Sequence, residues 1–131
     1  MWFTERIGNT RWQISYAESL DGVNWSKSPK NPIIAPFYNK LIAKFFEAVA
    51  KFTGLCGEIP LYGIASPFVW KDGEKYLLVG HEVGRRGKLY IPMYESRDGL
   101  LWKKLKNNIL PEPSSEWNKF FQADPFIYVE N

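Results

Sequence analysis

His81-Glu82 is the pair in this chain best suited by type to exchange protons, because an imidazole titrates near neutrality and an adjacent carboxylate can tune it. Adjacent residues of a strand point to opposite faces, so only one of the two reaches a given pocket. The competing reading is a histidine whose nitrogens are satisfied within the fold. Flat rings are the second resource. Trp2, Trp12, Trp70 and Trp117 can cover the apolar C–H face of a sugar while polar groups bond its hydroxyls, or they can fill the core, as aromatics do in small β domains. Arg85 and Arg86 lie in a glycine-flanked loop and read as solvated.

A repeat sets the framework on which these residues sit. YAESLDGVNWSKSPKNPII, from Tyr16, returns as MYESRDGLLWKKLKNNILP, from Met93. Glu18, Ser19, Asp21, Gly22, Trp25 and Asn31 recur as Glu95, Ser96, Asp98, Gly99, Trp102 and Asn108, each pair 77 positions apart. A shorter echo links ASPFVWKDG, from Ala65, to ADPFIYVEN, from Ala123. Two interleaved repeats of long period indicate a modular all-β array. The shared S-x-D-G-x-x-W segment has a mechanical reading: the Asp carboxylate accepts backbone N–H groups across a turn, Gly takes the conformation other residues resist, and Trp returns to cover the hairpin. Asp21 and Asp98 are therefore structural, since a catalytic group is normally needed once.

Short aromatic and β-branched runs at 12–17, 67–70, 75–80, 89–94 and 120–129 read as strands. Lys71-Asp72-Gly73-Glu74 supplies a tight hairpin turn, Val83-Gly84-Arg85-Arg86-Gly87 a second connection and Ser96-Arg97-Asp98-Gly99 a third. Four consecutive antiparallel strands from about residue 64 to 105 form one meander, and about 40 to 50 residues per four-stranded unit is the range of a propeller blade. One segment departs from this pattern. Residues 37–53 place Leu41, Ile42, Phe45, Phe46, Val49 and Phe52 at near-helical spacing opposite Lys40, Lys44, Glu47 and Lys51, with Gly54 as a stop. This predicts an inserted amphipathic helix that packs on the side of the array, or else serves as an oligomer contact or a lid.

With 45% hydrophobic, 24% charged and 17% aromatic residues, the 131-residue chain has material for one core and needs no second domain. Lys and Arg are interspersed with acids and the net charge is only +3, so a nucleic-acid partner is not indicated. The single Cys56 excludes an internal disulfide and leaves the compartment undecided. No apolar stretch approaches a membrane span, and MWFTERIGNT lacks the regions of a signal peptide; a soluble chain without a membrane partner is expected. No metal or cofactor is called for.

Ala123-Asp124-Pro125-Phe126, Asp72-Gly73-Glu74-Lys75-Tyr76, the stretch from Tyr16 to Trp25 and Asn31-Pro32-Ile33 together resemble the five-bladed β-propeller glycosidases: the arabinanase and β-xylosidase family, the invertase and levansucrase families, and the β-mannoside phosphorylases. The resemblance implies an all-β partial propeller of about two four-stranded antiparallel blades with one inserted α-helix. Residues 1–36 form a first blade lacking its inner strand, 37–57 the helical insertion, 58–110 a complete blade, and 111–131 the inner strand of a further or swapped blade. In such enzymes a carboxylate before a proline opens each inner strand, and these acids converge on a funnel at the axis. Glycoside cleavage needs two of them, roughly 5 to 9.5 Å apart, one donating a proton to the leaving oxygen and one activating water or attacking carbon. The resemblance assigns these roles to Asp124 and to Glu58, in Glu58-Ile59-Pro60, and makes Ser66, the counterpart of Asp124 in the preceding blade, a substrate-binding position together with His81, Glu82 and Trp117.

A chain with an unpaired inner strand at one end and a blade lacking that strand at the other has edges that invite pairing. It is then either a piece of a longer enzyme or a homo-oligomer in which the tail of one copy completes the first blade of the next, six blades in a cyclic trimer. Two classes of function follow: a module that acts on glycosidic bonds of oligo- or polysaccharides, or a noncatalytic carbohydrate-binding or assembly module built from the same blade.

Overall fold

A computed structural model describes residues 1–7, 11–35, 48, 62–83, 89–108 and 123–128 of the chain. Eight strands run through them: β1 (Trp2–Ile7), β2 (Arg11–Glu18), β3 (Ser26–Lys27), β4 (Tyr62–Asp72), β5 (Lys75–Val83), β6 (Leu89–Tyr90), β7 (Pro92–Ser96) and β8 (Lys103–Asn108). The helix expected over 37–53 falls outside the described residues except for Ala48, which is helical. Glu58, Trp117 and the loop of Arg85 and Arg86 also lie outside them.

The expected meander is present. β4, β5, β7 and β8 pair in sequence, each antiparallel to the next. The β4–β5 turn is two residues long, Asp72 pairs with Lys75, and Gly73 takes φ +58 at the first turn position, a conformation glycine adopts without steric cost. β1, β2 and β3 form the first blade, and the repeat extends to its register: Trp2 pairs with Tyr16 as Val79, 77 positions on, pairs with Met93. β1 is thus the counterpart of β5, and no strand corresponding to β4 pairs with it among the described residues.

The two blades are also joined by a feature the sequence reading did not anticipate. β2 and β4 run parallel over two pairs, Arg11 with Tyr62 and Trp12 with Gly63. Gly63 makes this approach possible, because a Cβ there would lie 2.3 Å from the Trp12 carbonyl oxygen. The strand expected over 120–129 differs as well: its described part, 123–128, has no strand partner among the described residues, and a strand exists only where another supplies its hydrogen bonds. Inside the sheet, Ile14, Ile34, Ile64, Leu78 and Tyr94 form a buried core, with Trp2, Ile33, Val69 and Trp102 packed against it. Asn31 ties the first blade together by accepting the Tyr16 N–H at 2.8 Å and donating to the Tyr16 carbonyl at 2.9 Å.

Candidate functional site

The inner strand β4 breaks its ladder between Ala65 and Phe68, where a bulge frees Ser66 and Pro67 from pairing with β5. Ser66 takes φ +51, a left-handed conformation that non-glycine residues rarely adopt. Asp124 takes φ +50. The Ala-Ser-Pro-Phe and Ala-Asp-Pro-Phe echo is therefore a repeat of backbone shape as well as of residue type. The two side chains meet: Ser66 Oγ donates to Asp124 Oδ1 at 2.5 Å. Beyond them Phe68 and Phe126 stack edge to face, ring centroids 4.8 Å apart.

Each of these strained residues is held from behind by a side chain of the preceding blade. Thr4 Oγ1 accepts the Ser66 N–H at 2.9 Å, and His81 Nδ1 accepts the Asp124 N–H at 3.5 Å. Thr4 and His81 are 77 positions apart, so they are counterparts, although their residue types differ. Burial lowers the His81 pKa, against the opposing pull of Asp124, whose Oδ1 lies 3.6 Å from Nδ1. A neutral imidazole with its proton on Nε2 follows, leaving Nδ1 free to accept. Trp12 flanks it, ring centroids 5.8 Å apart. The Asp124 side chain is 78% exposed and bonded to the Ser66 hydroxyl, so a carboxylate and a hydroxyl border one open surface.

Glu82 points elsewhere, as strand alternation requires. Its Oε2 accepts Lys104 Nζ at 2.6 Å and Tyr94 Oη at 3.1 Å. Glu5 and Lys27, each 77 positions earlier, form the same pair at 2.6 Å. Glu82 is thus half of a strut that spans from the second strand of a blade to its fourth, present in both blades. Of the tryptophans, Trp2 packs inside against Tyr16, Tyr76 and Trp102, and Trp70 against Phe68. A cleft lined by Lys75, Glu95, Arg97, Asp98 and Lys103 lies apart from Asp124, and within it Glu95 is paired with Lys75 at 3.1 Å and with Lys103 at 3.6 Å. Among the described residues, no group of three or more His, Cys, Asp or Glu gathers as a metal site, and no helix is long and apolar enough to cross a membrane.

An array of one complete blade, a preceding blade with no inner strand among the described residues and a following inner segment is part of a β-propeller. The fold is that found in solved structures of a GH32 beta-fructofuranosidase of Bombyx mori. The enzyme itself matches at 19% identity and a mutant in complex with sucrose at 18%, both with a TM-score of 0.55. In each case the match covers 80% of this chain and 19% of the other, so the chain spans about a fifth of the length of those enzymes. No protein-family model and no curated protein matches the chain.

Proposed function

We propose that the chain is a glycosidase-type propeller module that engages oligo- or polysaccharide at Asp124. The observation that carries this reading is the side-by-side placement of Ser66 and Asp124 in matching strained conformations at the start of successive inner segments. Strain of this kind costs roughly 1–3 kcal/mol per residue and persists where the surroundings over-determine it, characteristically at ligand sites. In this reading Asp124 is one of the two carboxylates that glycoside cleavage needs, and Glu58 of the acid-x-Pro motif is the second. His81 is a positioning residue that fixes the Asp124 backbone, Ser66 bonds a sugar hydroxyl, and Trp12 offers a ring for a C–H face. Trp117 is a further binding candidate, whereas the strut leaves Glu82 little freedom to serve as one. Since the similar enzyme was solved with sucrose, fructosides are the first substrates to try, followed by arabino- and xylo-oligosaccharides.

A second reading, sugar binding without cleavage, is favoured by Ser66, which cannot act as an acid where the resemblance expects a carboxylate. One experiment separates the two. If the module cleaves, Asp124→Asn lowers turnover about a hundredfold or more while leaving the unfolding midpoint in place, the usual scale of a lost acid–base group. Unchanged turnover removes Asp124 from the mechanism. Binding without product, weakened by Trp12→Ala, assigns the module to the second class.

A further inference from the structure

The junction between the first and second blades repeats between the second blade and residues 123–128. Thr4 holds the Ser66 N–H as His81 holds the Asp124 N–H, and the two held residues share φ values of +51 and +50. Residues 123–128 therefore stand to the second blade as β4 stands to the first. They have the position of an inner strand but no strand partner among the described residues, and Phe126 and Tyr128 are 74% and 77% exposed. At the far end of the sheet, β1 is terminal: one edge pairs with β2, and the other has no partner among the described residues. In the second blade the corresponding edge of β5 is filled by β4, with Phe68 opposite Val79 and Ala65 opposite His81. Carried over by 58 positions on one strand and 77 on the other, that register sets Phe126 opposite Trp2 and Ala123 opposite Thr4.

We propose that residues 123–128 of one copy of the chain pair antiparallel with β1 of a second copy in this register. The occupant is a second copy because, in their own chain, these residues are held by side chains of β4 and β5, whereas the edge of β1 that has no partner among the described residues lies at the opposite end of the strand order, beyond β2. Pairing gives hydrogen-bond partners to two open backbone edges at once and covers Phe126, the usual physics of strand addition. Each copy gives one strand and accepts one, a head-to-tail contact that closes into a ring when the rotation permits. Asp124 of one copy then comes beside Ser66 of the next, as the two residues already stand within one chain, so the carboxylates of successive copies gather around one axis. The use of those carboxylates in catalysis rests on the proposed function; the assembly does not.

The unmodified chain tests the assembly first, by its mass in solution: a multiple of 15.3 kDa is expected, and a monomer at every concentration overturns the proposal. The register is tested by mixing two variants, Thr4→Cys and Ala123→Cys, each in a Cys56→Ser background, under mild oxidation. A disulfide joining the two different chains is expected, with its loss when Arg6→Cys replaces Thr4→Cys, two residues out of register. Equal cross-linking in both mixtures, or none in either, overturns the register. Both measurements are independent of activity, so an inactive ring rejects only the catalytic reading, and an active monomer only the assembly.

Discussion

The turns at 19–25 and 96–102 have the same internal bonds and opposite surroundings. In each, the Asp side chain accepts two consecutive backbone N–H groups, Val23 and Asn24 at 2.9 and 2.8 Å in the first, Leu100 and Leu101 at 2.9 and 2.8 Å in the second. In each, the Ser hydroxyl accepts the Gly N–H at 2.9 Å, and the Trp indole donates to the Gly carbonyl, at 3.1 Å for Trp25 and 3.0 Å for Trp102. Gly22 and Gly99 take φ +74 and +72. Only the second turn is covered. Trp2 of the first blade lies across it and donates its own indole N–H to the Gly99 carbonyl at 2.9 Å. The first turn leaves Leu20 and Val23 open and Trp25 45% exposed. The local bonds are thus complete without a neighbour, and cover is a tertiary addition from the preceding blade.

Removing the cover should have the largest effect on the second turn. Trp2→Ala deletes a ring that touches Tyr16, Tyr76 and Trp102, and it should cost about 3 kcal/mol in denaturant unfolding, at the low end for a large aromatic because Trp2 is only partly buried. Trp25→Ala, on the bare turn, should cost under about 1 kcal/mol. Equal losses would mean that the turn's own tryptophan, rather than the neighbour's, stabilises it.

The next largest difference is expected at the glycines. Either Gly→Ala substitution places a Cβ at positive φ and should cost about 1 kcal/mol for that alone. At Gly22 the new methyl meets nothing within 4 Å, whereas at Gly99 it would lie 2.9 Å from Cζ2 of Trp2. Gly99→Ala should therefore lose about 1 kcal/mol more, as Trp2 is displaced. In the Trp2→Ala background the two substitutions should become equal, which a double-mutant cycle reads directly.

The parts of this fold that were readable beforehand are those written along one strand or turn. Ser19 to Trp25 announces its turn because residue types at fixed short offsets make every bond in it, and Ala-Ser-Pro-Phe against Ala-Asp-Pro-Phe announces a shared backbone shape. The parts that were not readable join residues distant in sequence. Glu5 and Lys27 were unremarkable singly, and so were Glu82 and Lys104; only their common 77-residue offset marks the strut, which crosses from the second to the fourth strand of each blade. Thr4 was missed for the same reason, since a threonine shows no kinship to a histidine until both are seen holding a backbone N–H. The parallel contact at Gly63 depends on an approach of two backbones that no periodicity encodes.

The smallest predicted effect concerns acid, and it tests whether the bare first blade is held by its strut. Glu5 accepts Lys27 at 2.6 Å, Ser15 at 2.6 Å and Gln13 at 3.0 Å, and these bonds, that from Lys27 foremost, lower its pKa from 4.5 to about 2. Its folded pKa lies below the unfolded value, so the unfolded chain binds the proton more readily. The stabilisation is then fully present above pH 4.5 and is lost as pH falls from there through about 2. Lys27 is 64% exposed, so solvent screens the pair and the loss should stay within about 1 kcal/mol. Urea midpoints measured across this window should fall for the unmodified chain and fall less for Glu5→Gln, which has no proton to gain. Parallel declines for the two would show that the acid sensitivity resides in other groups, Asp21 and Asp98 first among them, whose pKa values the backbone N–H groups of the two turns also hold below the ordinary carboxylate range.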